Sequence, residues 1–256
     1  MNTQQINPNS EKTPWTPGAV GCAAVAGLLA LIVVASVSWW LAYPYLYPVY
    51  AARYELRLDV DTPQGVKTGS SVMEPRYGWQ PTLGGLVSSV RNDFSGEAVF
   101  VDLGDGKNLV VTLTDDRSKR KESIDAQYLP MRVFPFTPHD RVYTKADIEK
   151  ARSKGPVNVP LRKLPLVISF TDITDPTSVK RVDPTNLEAN FGSGYRIASA
   201  TIAMTDQPLA ATIEKKLPWL KGLQLSDLQK PGEQLGYKSI KAAVFTDLRT
   251  GGREGQ

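Results

Sequence analysis

The chain is poor in the residues that carry metal and thiol chemistry: among its 256 residues stand one cysteine, Cys22, and one histidine, His139. Zinc and most transition-metal centres draw on several such ligands, so a site built from histidine and cysteine is excluded. A lone cysteine allows no internal disulfide, which leaves ordinary core packing to hold the fold in any redox compartment. A strong charge of one sign is missing too. Glu11 and Lys12 cancel, and the remaining 29 basic and 25 acidic residues lie interspersed through 51–256, a net charge of +4. That pattern lacks the basic stripe a nucleic-acid partner needs. The densest basic cluster, Arg117, Lys119, Arg120 and Lys121, runs straight into Glu122 and reads as a solvated loop or helix start, with anionic lipid headgroups as the alternative contact. Phosphate loops and dinucleotide fingerprints are also absent, since Gly104-Asp105-Gly106 lacks the further glycine and the helix such motifs require. No internal repeat is found and no cofactor is expected.

What the chain does have is an unbroken apolar run, GAVGCAAVAGLLALIVVASVSWWLAY, from Gly18 to Tyr43. As a helix it would reach about 39 Å, enough to cross a hydrocarbon core of about 30 Å with some tilt. Trp39, Trp40, Tyr43, Tyr45, Tyr47 and Tyr50 crowd its downstream end, where amphipathic rings settle among lipid headgroups. Pro44 and Pro48 are expected to stop the helix there. Two rivals fit less well. A cleaved secretory signal would use Ser36 and Ser38 ahead of a cut before Trp39, but the apolar core begins late and continues past that cut. A lipid-bearing Cys22 would need its apolar segment before it, whereas nearly all of it follows. Small residues four apart, Gly18 with Cys22 and Ala23 with Gly27, offer a face for a second copy of the helix. The charges flanking the run, Lys12 against Arg53 and Arg57, nearly tie as an orientation signal. A short leading tail favours a cytoplasmic amino terminus, with the rest of the chain in a periplasm.

The organisation expected is a tail over 1–17, a transmembrane helix over 18–43, an interfacial linker over 44–52, one domain over 53–249 and a disordered tail over 250–256. Within the domain, Tyr54 to Val60 alternates with the strand period. Thr62-Pro63-Gln64-Gly65 then supplies a turn, and Val66 to Glu74 returns as a hairpin. Leu83 to Ser95 is ambiguous between a loop and a short helix. The clearest hairpin joins Glu97–Leu103 to Lys107–Thr114 through Gly104-Asp105-Gly106. A short helix is expected near Ile124 to Leu129. A better one opens at Thr144, with Asp147 three residues on and Gly155 past its end. Leu166 to Asp172, Tyr195 to Thr205 and Ser239 to Asp247 read as strands, and Leu209 to Leu217 as a short helix. Strands and helices do not alternate regularly, so the pattern predicts α+β: one transmembrane helix followed by a β-rich, mostly antiparallel domain with a few short helices.

Several phrases of this domain resemble an uncharacterised family of bacterial single-span membrane proteins. They are YELRLDV at Tyr54–Val60, TPQG at Thr62–Gly65, GSSV at Gly69–Val72, GEAVFVDLGDG at Gly96–Gly106, DPTSVKRVDP at Asp175–Pro184 and IEKKLPWL at Ile213–Leu220. The resemblance implies an anchor joined to one domain in a bacterium, and it brings no catalytic residue, cofactor or activity.

Reactive constellations are few. Ser70 and Ser71 are the candidate nucleophiles, with His139 as the only imidazole base and Asp140 beside it. Val72 stands where a nucleophile elbow has its second glycine, so a bulge or turn explains the segment equally well. Asp102, Asp105 and Asn108 surround the second hairpin turn, where oxygen ligands for calcium could gather, but their spacing is not that of an EF-hand. The pairs Asp115/Asp116 and Asp172/Asp175 are candidates for acid–base work and read more simply as loop residues. The sequence therefore favours a non-enzymatic, single-pass protein of a bacterial inner membrane, whose β-rich periplasmic domain binds an envelope protein or a second copy of itself. The alternatives are a hydrolase-like envelope enzyme using the serines or carboxylates, and a lipid- or peptide-binding module. No catalytic, cofactor-binding or metal residue is assigned.

Overall fold

The computed structural model describes residues 17–82, 90–114, 125–134, 143–222 and 245–247, and it divides into two units at Pro48/Val49. The first unit is a single helix, α1 (Pro17–Leu46). Between Ala24 and Leu46 its mean hydropathy is 2.2 and none of its side chains is buried, so it is long and apolar enough to cross a bilayer. The helix outlasts its expected end at Tyr43. Pro44 lies inside the last turn, where a missing N–H forfeits one bond, and the Tyr47 amide still donates to the Tyr43 carbonyl at 2.9 Å. Trp39, Tyr43 and Tyr47, four residues apart, form a ladder of rings with centroids 6.2 and 5.2 Å apart.

The second unit starts at once, inside the segment expected to be a linker. Strand β1 (Val49–Ala51) pairs with residues 76–78. Strands β2 (Tyr54–Thr62) and β3 (Gly65–Trp79) form the expected hairpin in perfect alternation: Tyr54, Leu56, Leu58 and Val60 point inward, while Glu55, Arg57, Asp59 and Asp61 point outward. At its turn the Thr62 hydroxyl donates to the Gly65 carbonyl at 2.7 Å, and Gly65 takes φ +110°. Of the ambiguous stretch 83–95, residues 83–89 lie outside the described residues and the rest belongs to strand β4 (Val90–Glu97), which pairs with Glu74–Trp79. Its asparagine, aspartate and glycine have poor strand propensity, so the partner strand and the buried Phe94 impose the conformation. One residue later β5 (Val99–Gly104) begins, paired with β6 (Lys107–Val111). Asp105 and Gly106 at their turn take φ +52° and +74°, the left-handed pair a two-residue hairpin requires.

The helical middle holds a 3-10 turn at Ala126–Tyr128 running into α2 (Leu129–Val133), then α3 (Lys145–Ser153). At α3 Thr144 and Asp147 close a reciprocal capping box, as their spacing predicts. After these come β7 (Val157–Asn158), β8 (Val167–Phe170), β9 (Val179–Arg181), α4 (Glu188–Phe191) and β10 (Arg196–Met204). The helix expected over Leu209–Leu217 shrinks to α5 (Ile213–Lys216), followed by a 3-10 turn, Pro218–Gly222. Of the last expected strand the described part is β11 (Thr246–Asp247), paired with Gly96 and Glu97. The tail 250–256 lies outside the described residues.

The strands form two antiparallel sheets. One has the order β11-β4-β3-β2-β10-β7, with β1 also against β3; the other has the order β5-β6-β8-β9. The chain changes sheets at Ala98, between β4 and β5, the device by which a strand turns the corner of a sandwich. The main core lies between the sheets, filled by Leu56 and Leu58 of β2, Val99, Val101 and Leu103 of β5, and Leu109 and Val111 of β6. The backbones of β3 and β5 meet at Gly69, where a methyl group would overlap the Phe100 carbonyl and come within 2.9 Å of Val101 Cγ2. The small sheet is apolar on its other face as well. There Ala98, Val110, Ile168 and Phe170 pack under Ile213, Leu217, Leu220 and Phe245.

Candidate functional site

The residues that the sequence offers for chemistry are held apart. Ser71 is buried and its hydroxyl donates to the Glu97 carbonyl at 2.8 Å, so it ties β3 to the corner of the sheets. Ser70 is on the opposite, exposed face, in register with Arg57. His139, Asp140, Asp115, Asp116 and the basic cluster at 117–121 lie outside the described residues. The oxygens considered for calcium diverge. Asp102 accepts from the Gly104 amide at 3.0 Å and Asp105 from the Gln64 side chain at 3.0 Å. Asn108 is buried and exchanges two 2.8 Å bonds with the backbone of Phe170. Among the described residues no three histidine, cysteine, aspartate or glutamate side chains gather in a metal-holding group.

Asp172 and Asp175 each close an Asx turn. The Asp172 carboxylate accepts the Thr174 amide at 2.8 Å and hydroxyl at 2.7 Å, and Asp175 accepts those of Thr177 at the same distances. Asp183 does the same with Thr185. The threonine hydroxyls, then the amides, hold Asp172 and Asp183 below the usual carboxylate range. Three Asp-x-Thr turns thus frame the short edge strand β9, and this repetition, at 172–174, 175–177 and 183–185, was open to reading in the sequence.

A groove of about 620 Å³ opens beyond the β8/β9 ladder. One wall runs from the 3-10 turn Leu161–Lys163 through Pro165 into β8, and the other runs from Arg181 through Pro184 and Thr185. Leu164, Leu166, Val167 and Val182, all buried, give it an apolar lining. Arg162 and Arg181, both exposed, bring a guanidinium from each wall, and Asp183 adds one carboxylate.

Three further polar clusters are spent on the fold. Glu74 is buried between Arg53 (Nε at 2.7 Å) and Arg76 (Nε at 2.8 Å). Burial raises its pKa, but the two guanidiniums outweigh it and hold the carboxyl below its ordinary value. Tyr54, Tyr77 and Tyr143 donate to the carbonyls of Ala126, Gln127 and Pro130, clamping the segment that carries α2. Burial pushes all three phenols well above the usual tyrosine value. Glu97, also buried, receives the Thr212 and Ile213 amides at 2.7 and 2.9 Å and caps α5. No family model, curated protein or solved structure matches this chain.

Proposed function

We propose that this chain is a single-pass membrane-anchored protein whose β-rich domain is a non-enzymatic binding or scaffold component, seated in a bacterial inner membrane with the domain in the periplasm. The observation that carries the proposal is α1. Twenty-three residues of high hydropathy bury no side chain, a surface that finds its proper solvent in lipid. The aromatic ladder at its downstream end supports the same reading, since such rings anchor a span at the headgroup level. The bacterial setting is supported by the family resemblance of the outer domain. A binding role is supported by the engagement of Ser71, Asp102, Asn108, Asp172 and Asp175 in the fold, together with an open groove that none of them lines.

Crosslinking in native membranes followed by mass spectrometry tests the reading, with one or more envelope proteins, or a second copy of this chain, as the expected product. Recovery of monomer alone counts against it. Reporter fusions on both sides of α1 test the orientation, and an active cytoplasmic reporter fused after residue 48 would reverse it. The groove favours a second reading, a lipid-binding module, within the same anchored architecture.

A further inference from the structure

Covalent geometry brings one end of the large sheet within reach of lipid. Leu46 ends α1 and Val49 begins β1, so the chain between them spans at most about 11 Å. A headgroup layer is about 5–8 Å deep on each side of a bilayer. With α1 across the bilayer and the rings of Trp39, Tyr43 and Tyr47 at headgroup level, Val49 stays at or close to that layer. Nor is β1 a loose tether. It pairs with Arg76–Gly78, and the Ala52 amide that follows donates to the Pro75 carbonyl at 2.9 Å. Ala52 itself is buried with Tyr77 and Tyr143. A connection so short and so firmly held keeps this end of the sheet near lipid.

The side chains at that end suit such surroundings. Register sets Val49 opposite Gly78, Gly78 opposite Arg91, and Tyr50 opposite Tyr77, with Trp79 next along β3. Among the described residues of this unit, Val49 and Val66 are the large apolar side chains left exposed, at 42% and 62%, and Val66 lies at the far end of β3. Tyr50 and Trp79 are half-buried. The Trp79 ring packs on the cluster of Ala52, Tyr77 and Tyr143. Trp219 spends its indole N–H on the Ile173 carbonyl at 3.0 Å, whereas that of Trp79 has no acceptor among the described residues and is not sealed from solvent. An apolar ring with a spare donor fits the boundary between acyl chains and headgroup oxygens. The nearby charges are already matched, Arg91 with Asp93 at 2.8 Å and Arg76 with Glu74 at 2.7 Å. Apolar surface and the indole donor, not attraction to acidic lipids, are what this end offers.

We propose that the sheet end formed by Val49, Tyr50 and Trp79 seats in the headgroup layer of the bilayer, a second membrane contact that fixes how the domain faces the lipid surface. The proposal deepens the anchored reading given above and rests on it. The test uses the full chain in phosphatidylcholine nanodiscs, with Cys22→Ser and an NBD fluorophore on a single new cysteine. Arg91→Cys reports on the docking end, since that side chain is exposed and its surface ion pair is worth little. Val66→Cys is the distant reference. Phosphatidylcholine carrying a doxyl group at acyl carbon 5 should quench the fluorophore at position 91 about threefold or more above that at 66, because such quenching requires lipid contact. Val49→Asp and Trp79→Ala should each weaken the quenching at 91 about threefold or more by removing apolar surface from the layer. Added phosphatidylglycerol and high salt should leave it unchanged. Equal quenching at the two positions, indifference to Val49→Asp, or quenching that needs phosphatidylglycerol and vanishes in high salt would each overturn the proposal. Near-ultraviolet circular dichroism verifies folding; should Trp79→Ala fail it, Val49→Asp, at an exposed position, decides alone. Carbonate washing separates the two readings. A chain released from membranes removes the anchor, and a chain retained without quenching at 91 removes the docking alone.

Discussion

Three tyrosine hydroxyls and one glutamate illustrate how single residues in this domain are committed. Tyr54, Tyr77 and Tyr143 donate their protons to the backbone of 126–130, and a phenolate could not. Their raised pKa values mean that the stabilisation is complete below about pH 10, the unfolded value, and is lost as pH climbs toward the folded values. Absorbance at 295 nm should show these phenols ionising together with loss of tertiary circular dichroism, out of step with the exposed tyrosines. Glu74 acts at the other end of the scale. Its carboxyl is held down, so its contribution is present above about pH 4.3 and disappears as pH falls through its lower folded value. Glu74→Gln should destabilise the domain at pH 7 by about 1–2 kcal/mol, because Arg53 and Arg76 are partly solvated. Once the pH is below that folded value the variant and the wild type should converge, as denaturant titrations at neutral and at progressively lower pH would show.

At the scale of elements, Gly69 is the tightest constraint. Gly69→Ala places a methyl against the backbone of Phe100, which cannot swing aside as a side-chain tip can, and should cost about 1–3 kcal/mol or more by denaturant midpoint. The same substitution at Gly27, which has nothing within 4 Å, should leave the domain unchanged. Elements with local causes were legible in the sequence: the two early hairpins through their turn residues, α3 through its capping box, and β2 through its alternation. Those with distant causes were not. Strand β4 contains Asn92, Asp93 and Gly96 and becomes a strand because Glu74–Trp79 lies beside it. Strand β9 has three residues and exists through β8 and its flanking Asx turns. The helix over Leu209–Leu217 contracted because its start is set by the carboxylate of Glu97, more than a hundred residues upstream. The groove was illegible for a similar reason, since Arg162 and Arg181 belong to segments that carry no shared motif and meet only when β8 pairs with β9.

For the whole molecule, the decisive property is the apolar rod at its amino-terminal end. Leu31→Arg places a charge where Leu31 is 69% exposed, and insertion of such a residue at the centre of a span costs about 2.5–3.5 kcal/mol. Carbonate washing of membranes should leave the wild type in the pellet and release a measurable fraction of the variant. The small sheet, greasy on two sides, has a consequence for biogenesis. A ribosome reaches Ile213, Leu217, Leu220 and Phe245 after β5, β6 and β8 have all been made, so until then Val110, Ile168 and Phe170 face water or a chaperone. Stop codons shortly before residue 213 should therefore yield chains that clump or are degraded even with every other strand of that layer complete.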